Sequence, residues 1–238
     1  YRFRGISQTF KEPAIQGGVD YSHTSGFYLG NWNSNVNSGA GFPGGSIEMD
    51  FYGGWKKTWG DWGLDLGGIY YYYPGTDATA ANFLANPKTR STHTGSVHNT
   101  ELYVGGSWKW LSAKYYYGVS DYFSLPSTKH SHYLDISGTY DLGDGWNIVG
   151  HLGSFKLKNW STGARGTNGD YTDLKLGVTK DISGWVLGAS YVTTSSKGSC
   201  TAIGGATEFY CFGNSAAGAT KFKDAGASTI VFSVNKSF

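Results

Sequence analysis

Few residues in this chain are spaced for chemistry, and most of those carry charge rather than reactivity. Charged side chains recur at alternate positions inside otherwise apolar or glycine-rich stretches: Glu48, Asp50 and Lys56, then Glu101 and Lys109, then Asp173 and Lys175. Arg2, Arg4, Asp20, Asp65, Lys114 and Asp135 fall on equivalent alternating rows. Six basic against seven acidic residues make a lining of mixed sign, whose chemistry is weak electrostatic sorting of solutes rather than bond-making. Cys200 and Cys211 form an even pair in one Gly-rich connector and read as a disulfide. With no His near them, a metal role has little support. His130, His132, His93 and His98 sit at the loop end and read as solvated side chains. The one local His-x-Ser is His23-Thr24-Ser25, in a short turn.

The elements that position these residues repeat with a period of two, the mark of half-buried strands. Apolar or aromatic residues alternate with small or polar ones over roughly 1–8, 13–23, 27–37, 46–57, 62–73, 98–110, 112–122, 132–142, 146–156, 171–181, 185–195 and 226–238. Charge is 15% and aromatic content 17%, with 37 Gly among 238 residues, a composition that excludes a helical bundle and a disordered chain. The connectors alternate strictly between short and longer. The short ones are 23–26, 58–61, 110–112, 143–145 and 182–184; the longer ones are 9–12, 38–45, 74–97, 123–131, 157–170 and 196–225. In an up-and-down meander every second connector lies at the same end, so one end is trimmed and the other elaborated. That asymmetry predicts a transmembrane antiparallel β-barrel of about twelve strands, one domain over 1–238, with short periplasmic turns and longer extracellular loops.

Seven of the nine Trp (Trp55, Trp59, Trp62, Trp108, Trp110, Trp146 and Trp185) lie close to short turns, where an aromatic girdle meets the edge of the hydrocarbon. A Lys or Arg facing mid-bilayer lipid costs about 2–4 kcal/mol, so the charged rows point inward. A soluble barrel would reverse that orientation, and alternation alone does not distinguish the two. Loop asymmetry and Trp placement favour the membrane.

The net charge of +2 and the scattered Lys and Arg give no nucleic-acid footprint. No apolar run approaches a membrane helix. The chain opens on Tyr1-Arg2-Phe3-Arg4, which reads as strand, and is taken as a mature chain without its export signal. It ends on a period-two strand, Thr229 to Phe238, whose terminal Phe looks like the signal read by bacterial barrel-assembly machinery.

Tyr1-Arg2-Phe3-Arg4-Gly5-Ile6-Ser7-Gln8-Thr9, Pro13 to Tyr21 and Gly26-Phe27-Tyr28-Leu29-Gly30 resemble the opening of the TorF family of proteobacterial porins, and Asp170 to Val178 is similar as well. The resemblance implies an outer-membrane location and leaves the solute open. It also implies a first strand beginning several residues ahead of Tyr1.

The expected work is passive passage of small polar solutes through a narrow lumen, with no chemistry and no cofactor. Alternatives are a lumen plugged by salt bridges, with loops 74–97 and 196–225 binding a surface partner or matrix, and a secreted carbohydrate-binding β protein. The stretch 77–87 predicts a short helix, folded inward as a constriction or packed over the rim. The longer connectors lean basic, with Lys11, Lys88, Arg90, Lys129 and Lys158 among them, which suits lipopolysaccharide phosphates or simple solubility. One outer-membrane phospholipase class uses an Asn-His-Ser site near the outer leaflet; His23 and Ser25 sit at the opposite end.

Overall fold

The computed structural model describes residues 1–40, 45–78, 95–159, 169–196, 200, 209–215 and 219–238. Two short strands, β1 (Arg2–Phe3) and β2 (Ile6–Ser7), precede the main sheet. The sheet then meanders through β3 (Gln16–Ser22), β4 (Phe27–Asn35), β5 (Ile47–Trp59), β6 (Trp62–Tyr72), β7 (His98–Trp108) and β8 (Leu111–Gly118). It continues through β9 (His132–Gly143), β10 (Trp146–Lys156), β11 (Tyr171–Ile182) and β12 (Trp185–Thr194). A small hairpin of β13 (Cys211–Gly213) and β14 (Phe222–Asp224) intervenes before β15 (Thr229–Lys236) completes the wall. Eleven strands are bonded in sequence order from β3 to β12 and then β15, every pair antiparallel. The helical content among the described residues is one 3-10 turn at Tyr122–Ser124.

The short connectors close as tight hairpins. Asp144 and Gly145 both take positive φ (50° and 75°), as do Ser183 and Gly184 (54° and 81°), the backbone whose twist matches flanking antiparallel strands. Register then carries the Trp residues into one band at the turn end: Trp59 pairs with Trp62, and Trp62 with Trp108.

Alternation is realised with the apolar row outward. On β7, Leu102 and Val104 are 56% and 48% exposed, while Glu101 between the strands' inner faces is 1% exposed. The same inversion holds on β5, where Phe51 is exposed and Glu48 and Asp50 are buried, and on β11, where Leu174 and Leu176 are exposed and Asp173 is buried. A water-soluble sandwich needs the opposite arrangement. The sheet also curls round on itself. One internal cavity is bounded by Gln16 and Trp32 near one margin, by Val231 and Ser233 at the other, and by Asp135, His151 and Asp173 between.

The expected first wall strand, 1–8, does not join the wall. The chain reverses at Arg4 (φ 48°) and Gly5 (φ 80°), pairing Arg2 with Ser7 and Phe3 with Ile6 in a two-rung hairpin. This segment lies inside the barrel, because Ile6 joins the buried cluster of Leu125, Tyr133, Phe155 and Tyr171. Among the described residues the wall therefore has eleven bonded strands. The helix expected over 77–87 falls mostly on residues outside those described.

Candidate functional site: the barrel interior

The outer half of the interior is filled. Arg4 reaches from the N-terminal hairpin to Glu101 on β7, Nη1 to Oε1 at 3.0 Å and Nη2 to Oε2 at 2.5 Å. Its guanidinium lies over the rings of Tyr133 (4.3 Å), Phe3 (4.7 Å) and Tyr116 (5.1 Å), so the buried charge has one carboxylate and three ring faces. Arg2 donates to the carbonyls of Gly5, Ala225 and Ala227 at 2.7–2.9 Å, tying the hairpin to the segment entering β15. The Tyr1 hydroxyl donates to Glu48 Oε1 at 3.1 Å, and the backbone of Ser7 donates to Ala225. Phe3 packs edge-on against Tyr71 and Phe123. Burial pushes the Tyr210 phenol well above its usual range, so it remains a donor, here to the Gly169 carbonyl.

Below this plug, β9, β10 and β11 bring together a polar cluster. His151 Nε2 is 2.8 Å from Asp173 Oδ1, and its Nδ1 is 2.9 Å from Ser137 Oγ and 3.4 Å from Asp135 Oδ2. Tyr133 donates to Asp173 Oδ2 at 2.9 Å, and Ser137 donates to Asp135. Ser137, His151 and Asp173 thus stand in the order of a hydrolytic triad. The geometry argues against that use. Both ring nitrogens face carboxylates, an arrangement satisfied by two N–H donors, which leaves no lone pair to take a proton from Ser137. The cluster works as a clamp across three strands.

Toward the turn end the interior opens into two cavities, of about 550 Å³ beside this cluster and about 740 Å³ below it. Lys114 Nζ bonds Asp65 Oδ2 at 2.6 Å, and Tyr28 donates to Asp65 Oδ1 at 2.6 Å. Tyr52 donates to Asp20 at 2.6 Å. Lys56 stands over the Tyr28 ring at 5.2 Å, and Lys175 lines the upper cavity. Tyrosines fold flat over inward glycines: a Cβ at Gly153 would collide with Tyr133 Oη and Asp173 Oδ2, and one at Gly67 with Tyr103.

Of the thirteen charges assigned to the lining, twelve face the interior, though Arg2 and Arg4 do so from the plug rather than the wall. Lys109 is the correction. The strand ends at Trp108, and Lys109 (φ 53°) occupies the hairpin turn, exposed, 3.9 Å from Asp61 of the neighbouring turn. The alternation Trp108-Lys109-Trp110 runs through the bend and disguises it. Cys200 and Cys211 are disulfide-bonded. His130 contacts the Tyr117 hydroxyl at 2.8 Å, and His98 contacts the Ser96 carbonyl. No group of three or more His, Cys, Asp or Glu is placed to hold a metal among the described residues. Sequence reasoning missed His151, whose inward position follows from the parity of β10 once Asn147 and Gly153 are placed on the same row.

Comparison with known proteins adds two findings. A solved structure described as outer-membrane expressed OmpT of Vibrio cholerae is similar, with a TM-score of 0.46 and 15% identity, covering 92% of this chain. This chain covers 62% of that one. No curated protein matches the sequence. Over its whole length, residues 1–238, the chain matches and belongs to the Gcw_chp family, described as bacterial proteins of unknown function.

Proposed function

We propose that the chain is an outer-membrane channel of a Gram-negative bacterium, passing small polar solutes, and that the described conformation is its closed one. The observation that carries the reading is the division of the interior: two water-accommodating, charge-lined cavities at the turn end, sealed at the loop end by the N-terminal hairpin. The outward apolar rows and the Trp band support insertion in lipid, and the resemblance to TorF-family porins supports the outer membrane as the site. No cofactor enters this mechanism. Passage is governed by bore, by local charge and by release of the hairpin.

Planar-bilayer conductance of detergent-purified protein tests it. Steady openings that become more frequent in Arg4→Ala support a channel gated by the hairpin. Silence from folded, heat-modifiable wild type and from Arg4→Ala overturns it. The second reading, a sealed barrel whose loops 74–97 and 196–225 bind a surface partner, then takes its place. That reading is favoured by the density of the outer half, where Tyr73, Tyr133 and Phe155 are fully buried.

A further inference from the structure

The sequence presents the inward charges as balanced, but the fold separates them along the axis. Glu48, Asp50 and Glu101 are buried in the outer half, behind or against the plug. The two open cavities are lined by Arg2, Arg4, Lys56, Lys57, Lys114 and Lys175 against Asp65, Asp135 and Asp173.

The pairing of those residues sharpens the asymmetry. Asp65 is held by Lys114, and Asp135 and Asp173 flank His151. Arg4 is committed to Glu101. Lys56 has an aromatic face and no ion pair, and Lys175 has no ion pair, among the described residues. Arg2 spends its donors on neutral carbonyls. Lys114 thus offsets Asp65, and His151 bridges Asp135 and Asp173. Among the described residues Asp20, which accepts from Tyr52, has no cationic partner either, and Lys56 and Lys175 stand without an ion pair. Around them stand hydroxyls that can donate: Ser107 and Ser112 by Lys56, and Thr139, Ser190 and Ser233 in the cavity of Lys175.

We propose that this inner vestibule is an anion-binding compartment, suited to small phosphate- or carboxylate-bearing solutes, with Lys56 and Lys175 as its charged contacts. Unmatched positive charge inside a low-dielectric wall concentrates counter-anions, and hydroxyl donors complete their coordination. The inference names the solute class for the channel reading above and rests on it for transport. Binding does not depend on passage, so the two fail separately.

The test titrates inorganic phosphate into folded full-length protein in lipid-free maltoside micelles, followed by phosphorus NMR line broadening. Saturable binding that weakens about tenfold in Lys56→Gln/Lys175→Gln, a loss of roughly 1.4 kcal/mol, supports the proposal. Lys180→Gln is the control, because Lys180 Nζ lies over the Trp146 ring and donates to the Asp144 carbonyl, away from both cavities. Binding lost equally in Lys180→Gln assigns the phosphate to the outer surface at the turn end and overturns the lumen site. Absence of binding in heat-modifiable wild type overturns it too. Where the protein conducts, a salt gradient should give an anion-preferring reversal potential that changes sign in Lys56→Glu/Lys175→Glu; a cation preference in wild type contradicts the proposal. Phosphate binding by a barrel that never conducts leaves the anion site standing and removes the channel.

Discussion

Arg4 and Glu101 lie 97 residues apart in the chain and meet inside the barrel through two parallel hydrogen bonds. Both side chains are almost wholly enclosed, at 5% and 1% exposure. Removing one partner strands the other charge. Arg4→Ala or Glu101→Ala should each destabilise the folded barrel by about 3 kcal/mol, whereas Arg4→Met with Glu101→Leu should lose far less. Urea unfolding in micelles measures this, and equal losses in single and double variants would count against an ion pair as the anchor of the plug.

His151 is expected to hold β9, β10 and β11 together. His151→Ala leaves Asp135 and Asp173 facing one another with only the Ser137 and Tyr133 hydroxyls donating to them. The loss should be about 2 kcal/mol, moderated because the Asp135 side chain keeps 28% exposure. Asp135→Asn in the same chain should restore part of it. Wild-type stability in His151→Ala would show that the ring clamps nothing.

Two glycines on one strand should respond in opposite directions. Gly153→Ala drives a methyl into Tyr133 and Asp173 and should destabilise by about 1–3 kcal/mol. Gly150→Ala meets open space on the outer face and should gain up to about 1 kcal/mol from the strand's lower unfolded entropy. A comparable loss at both positions would mean that the Tyr-over-Gly packing of the inner wall does not matter.

The Trp band makes a prediction about depth. Lipids brominated near the carbonyls should quench Trp fluorescence more strongly than lipids brominated near the chain ends, and the gap should shrink in Trp59→Phe/Trp108→Phe. Stronger quenching from deep bromines would displace the band from the interface.

Much of this wall is legible in the sequence because a strand's period of two survives any error in its ends. Leu134 and Asp135, or Leu174 and Lys175, fall on opposite faces wherever the strand is taken to begin. The N-terminus is not legible for the same reason. Tyr1-Arg2-Phe3-Arg4 alternates as a wall strand does, and only Glu101, distant in sequence, gives Arg4 a reason to turn inward. Lys109 was misplaced because alternation continues across its turn. The axial separation of charge was invisible, since residue counts carry no information on which carboxylates the plug covers. Tyr133, Ser137 and His151 each sit on a readable row, but their meeting depends on the register between three strands.

The margins of the ladder carry one more consequence. β3 and β15 both descend from the loop end to the turn end, since eleven antiparallel strands begin and finish in the same direction. No ladder joins them among the described residues. A direct bond between them would be parallel, against the grain of every other pair. An antiparallel closure instead needs a guest strand ascending between them, and in hydrocarbon an unclosed margin leaves backbone groups unsatisfied at several kcal/mol each. Oxidising Val19→Cys against Ile230→Cys, Phe232→Cys or Val234→Cys in turn distinguishes the two. With a guest in place the backbones stand about 9–10 Å apart and no pair should close, because a disulfide tolerates at most roughly 7 Å. Rapid oxidation of any one pair would mean that the margins touch. The circumference of this barrel is therefore decided at its seam, by whatever fills the parity gap, and not by the eleven strands of its wall.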